Sequence, residues 1–138
     1  MNVLVDTPVW SLALCRKPEN LSAEEQGITR ALGELVRDRR AQIIGVVRQE
    51  LLSGIREPAL FEKLRGYLRA FPEPSFEVQD YEEAAQMHNH CRALGIAGSA
   101  IDFLICAVAQ RRQWQIFTVD RDFERYARAL PLELYRIN

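Results

Sequence analysis

The sequence is poor in cysteine and has no long apolar run. Its three cysteines, Cys15, Cys91 and Cys106, are an odd number without paired spacing, which favours free thiols in a reducing compartment. The longest uninterrupted apolar run, residues 103–109, is far too short to span a bilayer. The first six residues lack the basic start and apolar stretch of a signal peptide. We therefore expect a soluble, cytoplasmic protein with no membrane partner.

The chain also lacks a large charge of either sign. Its formal net charge at pH 7 is -1, which excludes a polycation that grips nucleic acid over its whole surface. Any contact with nucleic acid must therefore come from local basic patches. Apolar residues make up 48% of the 138 residues, enough for a core of ordinary size. We expect a single domain that spans residues 1–138.

Short apolar segments alternate with amphipathic ones along the chain. The first strand is followed by Pro8, which is tolerated in a first helical turn. Ser22 and Glu25 form a capping-box pattern that starts the next helix. The pattern predicts strands at residues 2–5, 41–46, 76–78, 115–119 and 132–137. It predicts helices that begin near residue 6 and at residues 22–38, 47–53, 58–71, 81–94, 99–111 and 122–130.

This alternation predicts an α/β fold with a parallel sheet covered by helices on both faces. In such sheets, ligand sites form just beyond the carboxyl ends of the strands. Acidic residues stand at this edge in the predicted fold: Asp6, Glu50, Asp102, Asp120 and Asp122. The intervals between them are long, so only the fold can bring them together.

Each acid also has a structural explanation when it is taken alone. Asp6 is a candidate N-cap of the following helix, and so is one of Asp120 and Asp122 for the last helix. Glu50 could be an ordinary solvated charge near Arg48. Asp102 shares a helical stripe with Ser99, Cys106 and Gln113 and could mark the wetter side of its helix, but its immediate neighbours are apolar, and an unpaired carboxylate is costly in such a setting.

The joint placement of the acids carries more weight than any one of them. Crowded carboxylates repel one another, and some would stay protonated unless a cation neutralised them. Mg²⁺ or Mn²⁺ prefers hard oxygen ligands and is typically held by carboxylates together with substrate phosphate. Such an ion polarises a phosphodiester and helps to generate hydroxide from bound water.

Four segments of the sequence resemble the signature segments of PIN domains, in the right order and over the whole chain. They are Val3-Leu4-Val5-Asp6-Thr7, Gln49-Glu50-Leu51-Leu52-Ser53-Gly54, Ala100-Ile101-Asp102-Phe103-Leu104-Ile105-Cys106-Ala107 and Thr118-Val119-Asp120-Arg121-Asp122-Phe123. The length resembles that of the VapC toxins of toxin–antitoxin pairs. The resemblance implies a three-layer α/β/α domain with a short central parallel sheet. It also implies an endoribonuclease, active on structured RNA such as tRNA or rRNA, that depends on Mg²⁺ or Mn²⁺.

The resemblance assigns roles to single residues. It implies that Asp6, Glu50 and Asp102 are the principal metal-binding acids. Asp120 would be the fourth acid with Asp122 beside it, and the choice between these two stays open. Thr7 matches a position whose hydroxyl supports the first aspartate. Pro8 departs from the small hydroxyl residue that the family often carries there.

The resemblance also implies partners. These are a cognate antitoxin, an RNA substrate and a second copy of the chain in a homodimer. Arg121 and Arg125 flank the acidic edge and are the candidate RNA-binding residues. The expected dimer surface draws on the apolar residues Trp10, Leu12, Leu14, Ile28, Leu32 and Leu35. Two alternatives stay open, a PIN nuclease of RNA processing without an antitoxin and a degenerate, non-catalytic PIN scaffold.

Other local features are assigned structural roles. His88 and His90 point to opposite sides of a helix, which argues against a zinc site. Arg111 and Arg112 are interpreted as solvated residues at a helix C-terminus, where the helix dipole favours positive charge.

Overall fold

The computed structural model describes residues 1–137, and it has a small parallel sheet surrounded by helices. The strands are β1 (Val3–Val5), β2 (Ala41–Gln42) and β3 (Gln115–Phe117). The helices are α1 (Thr7–Leu14), α2 (Ala23–Arg37), α3 (Gly45–Ser53), α4 (Pro58–Leu68), α5 (Val78–Ala93), α6 (Ala100–Arg112) and α7 (Asp122–Ala129). A single 3-10 turn, Pro18–Asn20, precedes α2.

The strand order is β2-β1-β3, and both pairings are parallel. All three residues of β1 are fully buried, because helices cover both faces of the sheet. The predicted α/β fold with a central parallel sheet is therefore confirmed. The parallel arrangement also places the carboxyl ends of all three strands at one edge.

Four of the five predicted strands are shorter in the structure, where those at residues 2–5 and 115–119 become Val3–Val5 and Gln115–Phe117. The predicted strand 41–46 ends at Gln42, which pairs with Leu4 near the end of β1. Ile44 is already the N-cap residue of α3, and its carbonyl accepts hydrogen bonds from that helix. The predicted strand 132–137 makes only one bridge, between Leu134 and Ile116. Residues 43–46 are buried or half-buried by packing rather than by extended pairing, whereas Glu133, Arg136 and Ile137 are exposed.

The predicted strand 76–78 is wrong, because Val78 is the first residue of α5. Glu77 is the N-cap of that helix, and its backbone amide donates to the Asp80 carboxylate at 2.8 Å. This reciprocal cap satisfies amides that have no partner inside the helix. It starts α5 three residues before the predicted residue 81.

The core sits between the sheet and the helices that cover it. Helix α6 packs on β1, β3 and α5, and its residues 103–109 are all buried. The Trp10 ring is fully buried, and its indole N–H donates to the Val5 carbonyl at 3.1 Å. Four of the six residues proposed for a dimer surface, Trp10, Ile28, Leu32 and Leu35, belong to this core. Within residues 1–137 no helix is long and apolar enough to cross a membrane.

Candidate active site

The acidic residues gather at the carboxyl edge of the sheet, as the topology requires. Asp6 follows β1 directly, and Asp120 follows β3 after a two-residue extension. Glu50 lies in α3, the helix that follows β2, and Asp102 lies in the first turn of α6.

Asp6 is the acid at the centre of this edge, and only 6% of its surface is exposed. Its backbone amide donates to the Phe117 carbonyl at 2.9 Å, which continues the β1–β3 pairing by one residue. Oδ1 accepts from the Thr7 amide and Oδ2 accepts from the Thr118 hydroxyl, each at 2.8 Å. Asp6 is thus the N-cap of α1 and an acid of the cluster at once.

Burial raises the pKa of Asp6 to about 6, although the hydrogen bonds from Thr118 and Thr7 oppose that rise. The negative charges of Asp102 and Glu50 raise the pKa further. A buried carboxylate among like charges resists ionisation unless a cation is present. The electrostatics of Asp6 therefore fit a cation-binding position.

Thr7 connects Asp6 to Glu50. Its amide donates to Asp6 Oδ1, while its hydroxyl donates to Glu50 Oε1, each at 2.8 Å. The expectation that the Thr7 hydroxyl supports the first aspartate is therefore wrong: the hydroxyl holds Glu50, and only the Thr7 backbone amide holds Asp6. Glu50 itself is exposed, which leaves its second oxygen open to solvent.

Thr118 connects Asp6 to the acids that follow β3. Its hydroxyl donates to Asp6, and its oxygen accepts the Asp120 amide at 3.0 Å. Asp120 Oδ1 in turn accepts the Asp122 amide at 2.9 Å. The segment after β3 is therefore folded around its own acids, with both carboxylates held near the sheet edge.

Asp102 is held from two sides. The Ser99 hydroxyl accepts the Asp102 amide at 3.1 Å and so caps α6. The hydroxyl of the buried Tyr126 donates to Asp102 Oδ2 at 2.7 Å. Burial raises the pKa of Asp102 above its ordinary value, and Asp120 and Asp122 add to that rise, while Tyr126 opposes it.

Three of the acids form a compact group. Asp102, Asp120 and Asp122 each offer a carboxylate oxygen, and these oxygens lie within 4.8 Å of one another. This is the donor chemistry that Mg²⁺ or Mn²⁺ takes, so the residues fit such an ion. The structure keeps Asp120 and Asp122 together in this group rather than separating them.

Two hydroxyl side chains of this site have no role in the sequence analysis. Thr118 and Tyr126 reach acids that are 112 and 24 residues away in the chain. Thr118 carries a weak signal, since it stands at a predicted strand end. Tyr126 looks like an ordinary core residue of an amphipathic helix, and only the fold reveals its contact with Asp102.

The arginines near the site are placed differently from one another. Arg125 forms an ion pair with Asp122, one turn earlier in α7. Arg121 is exposed at the N-terminus of α7 and lines a small cleft with Asp120 and Arg136.

The interpretation of Arg111 and Arg112 as solvated helix-end charges is wrong. Both donate to the fully buried carboxylate of Asp80 in α5, at 2.7 and 2.8 Å. These charge-assisted hydrogen bonds hold the pKa of Asp80 well below its ordinary range, although burial opposes that shift. The pair therefore fastens α6 to α5.

The PIN-domain profile matches residues 3–129 of the chain. The chain belongs to the PIN-domain family. Its match covers β1 to the end of α7, which includes all five acids.

Solved structures share this PIN fold over nearly the whole chain. FitAcB from Neisseria gonorrhoeae is 19% identical, with a TM-score of 0.75 over 97% of this chain and 96% of that one. VapBC2 from Rickettsia felis, bound to a DNA fragment from its promoter, is 15% identical, with a TM-score of 0.75 over 98% of both chains. A toxin–antitoxin complex from Klebsiella pneumoniae is 16% identical, with a TM-score of 0.66 over 88% and 90%.

Proposed function

We propose that this PIN domain is a divalent-metal-dependent endoribonuclease of the VapC type, which hydrolyses phosphodiester bonds in structured RNA. The observation that carries the proposal is the acidic cluster at the carboxyl edge of the sheet. The hydroxyl groups of Thr7, Thr118 and Tyr126 donate to carboxylates of this cluster. Such an arrangement crowds like charges, and some of the carboxylates stay protonated unless a cation neutralises them.

The acids divide into two sets by their contacts. Asp102, Asp120 and Asp122 form the compact oxygen group, and Asp6 borders it through its electrostatic coupling to Asp102. Glu50 is held beside Asp6 by Thr7. We assign Asp6, Glu50, Asp102 and Asp120 as ligands of Mg²⁺ or Mn²⁺, with Asp122 as a fifth acid of the same group.

The other side chains keep these acids in place. The Thr7 and Thr118 hydroxyls each fix a carboxylate orientation, and Tyr126 fixes that of Asp102. A bound Mg²⁺ or Mn²⁺ supplies charge stabilisation at the phosphodiester and a water of lowered pKa. No side chain of the cluster needs to act as a covalent nucleophile, because water is the attacking group.

The proposed partner is a cognate antitoxin. The Klebsiella pneumoniae neighbour is described as a toxin–antitoxin complex, and the Rickettsia felis neighbour is bound to promoter DNA. An acidic pocket also suits a basic side chain of an inhibitor, which would neutralise the carboxylates. Co-purification of this chain with the product of a small adjacent gene tests that partner; an isolated gene with no such neighbour would favour an RNA-processing nuclease.

The nuclease proposal is tested by incubating the purified chain with total bacterial RNA in Mg²⁺, Mn²⁺ or EDTA. We expect discrete fragments with either metal and none with EDTA. Asp102→Asn should remove the cleavage. The matched control is Asp38→Asn, an exposed aspartate at the C-terminal end of α2, which should cleave normally. Cleavage by Asp102→Asn, or cleavage that persists in EDTA, would refute the proposed site.

A further inference from the structure

A second cleft, of about 440 Å³, is lined by basic rather than acidic side chains. It lies between the C-terminal part of α5 and the loop that leads into α6. Its lining residues are His88, Arg92, Gly95, Ile96, Ala97 and Gly98. We call it the basic cleft.

The basic cleft shares a wall with the acidic site. The His88 ring stacks on Phe103, the residue after Asp102, with ring centroids 4.7 Å apart. A Cβ atom built on Gly98 would lie 2.6 Å from both the Phe103 ring and the Tyr126 hydroxyl. That same hydroxyl donates to Asp102. The Tyr126 hydroxyl group therefore lies between Gly98, in the loop of the basic cleft, and the Asp102 carboxylate.

Arg92 carries a positive charge that no carboxylate of residues 1–137 pairs with. Its guanidinium donates instead to the Asn89 side-chain oxygen Oδ1 at 3.0 Å and lies 3.2 Å from His88 Nε2. The guanidinium is thus held toward the cleft wall without being neutralised. Arg125 differs, because its charge is paired with Asp122.

The loop of the basic cleft adds backbone donors. No hydrogen bond within the described chain, residues 1–137, engages the amides of Ala97 and Gly98. Gly98 must stay without a side chain, since a Cβ atom there would collide with Phe103 and Tyr126. The cleft therefore combines an unneutralised guanidinium with free amides, which is the donor set for a phosphate group.

We infer that the basic cleft binds a backbone phosphate of the RNA substrate, one that flanks the bond at the acidic site. This rests on the proposed nuclease function. An RNA strand that brings its phosphodiester to five carboxylates needs positive charge beside them. Arg92 supplies that charge from a cleft whose wall, formed by His88 against Phe103, adjoins the residue that follows Asp102.

The test measures binding of a fluorescein-labelled, 12-nucleotide single-stranded RNA of mixed sequence by fluorescence anisotropy. The full chain carries Asp6→Asn, so that cleavage does not consume the probe. In that background we compare Arg92→Gln, Arg92→Lys and Arg39→Gln. Arg39 is the matched control, because it is an exposed arginine before β2, at the opposite edge of the sheet from the acids.

We expect Arg92→Gln to weaken RNA binding about tenfold at about 0.1 M salt, the loss of one charge-assisted contact. The slope of log K against log salt should fall by about 0.7, the share of one phosphate on a single strand. Arg92→Lys should keep most of the slope, and Arg39→Gln should change affinity less than about twofold. Equal effects of Arg92→Gln and Arg39→Gln, or no effect of either, would overturn the inference.

The outcome is separable from that of the nuclease test. Metal-dependent cleavage by the active chain, together with RNA binding that does not depend on Arg92, would refute the phosphate site in the basic cleft and support the nuclease proposal. RNA binding that depends on Arg92, without metal-dependent cleavage, would support an RNA-binding role for the basic cleft and refute the nuclease proposal. Thermal unfolding of each variant checks that the exposed substitutions leave the fold intact.

Discussion

Asp6 belongs to the acidic cluster through its carboxylate and also affects the stability of the fold. Its carboxylate is buried, it caps α1, and it borders the acids Asp102 and Glu50. Its pKa is about 6 in the folded chain against 3.8 when exposed. The folded state therefore binds the Asp6 proton more tightly than the unfolded state does, and ionisation of Asp6 destabilises the metal-free fold.

Asp6→Asn should accordingly stabilise the metal-free chain at high pH. The destabilisation by Asp6 is absent below pH 3.8, grows as pH rises toward about 6, and is complete above that value. In EDTA at pH 8 we expect the variant to be more stable than the parent by about 2 kcal/mol, with little difference at pH 4. Urea unfolding at both pH values measures this, with Asp38→Asn as the control. A difference that does not change with pH would contradict it.

We expect Tyr126 to act by holding Asp102, to which its hydroxyl donates, rather than by contacting a substrate. Burial and the neighbouring Asp102 raise the pKa of Tyr126, so its hydroxyl stays a donor over the whole working pH range. Tyr126→Phe keeps the aromatic packing on Phe103 and Phe123 but releases Asp102 Oδ2. We expect Mn²⁺ affinity, measured by calorimetry, to fall about tenfold.

The control for Tyr126→Phe is Tyr67→Phe, since Tyr67 is 43% exposed and lies on α4. It should leave Mn²⁺ affinity unchanged. Equal affinities for both variants would show that the Tyr126 hydroxyl does not orient the site.

At the residue scale, the sequence predicts the acids and a supporting role for Thr7, but not that the Thr7 hydroxyl holds Glu50, nor the other hydroxyl groups that hold the acids. Four of the five acids stand just after a strand or in a first helical turn, which are positions that local patterns identify, whereas Glu50 lies in the second turn of α3. The partners Thr118 and Tyr126 depend on how α7 and β3 pack, which no local pattern encodes. Asp80 shows the same limit, because its burial becomes visible only when Arg111 and Arg112 approach it from another helix.

At the scale of elements, the loop before α6 is closely fitted to the site. Gly98→Ala would place a methyl group about 2.6 Å from Phe103 and the Tyr126 hydroxyl, so one of them must move. We expect a loss of about 1–3 kcal/mol, measured by urea unfolding. Gly66→Ala is the matched change, because a Cβ atom there meets nothing within 4 Å in the interior of α4. It should stabilise by about 0.5–1 kcal/mol; a neutral Gly98→Ala would contradict the close packing.

The α5–α6 pair depends on a buried ion cluster. Asp80→Ala removes the carboxylate that Arg111 and Arg112 share, and it breaks the cap of α5. We expect a loss of about 2–3 kcal/mol, below the full value for a buried pair because both arginines retain some solvent contact. The loss should be present at pH 7, because the pKa of Asp80 is lowered and its stabilisation disappears only in strong acid. A change under 0.5 kcal/mol in urea unfolding would contradict this role.

The sequence predicts a helix well where a common N-cap pattern marks its start. It predicts a strand poorly, because strand length depends on pairing with residues that are distant in the sequence. The capping-box pattern of Ser22 and Glu25 predicts the start of α2, and the structure has that capping box. Residues 76–78 have the composition of a strand, but Val78 begins α5 behind the Glu77–Asp80 cap; this cap is also local, yet glutamate is not one of the usual N-cap residues. Residues 43–46 are apolar enough for a strand, yet Ile44 already caps α3 after β2 has ended.

On the scale of the whole molecule, the near-neutral net charge conceals a separation of charges. The acids lie at the carboxyl edge of the sheet, and the basic cleft lies beside them on α5. The homodimer stays a prediction. Its expected surface exposes less apolar area than the sequence indicates, because most of those side chains pack inside one chain. Sedimentation velocity at micromolar concentration tests the dimer. A monomer would refute the predicted dimer but would not bear on the acidic site.

The most direct measurement is anomalous diffraction from crystals of the protein grown with Mn²⁺. We expect a Mn²⁺ peak at the acidic cluster, about 2.1–2.3 Å from carboxylate oxygens of Asp102 and of Asp120 or Asp122. Asp6 should lie against the ion directly or through a bound water. Absence of the ion at millimolar Mn²⁺, or an ion held away from Asp6 and Asp102, would contradict a metal-dependent nuclease site at this edge.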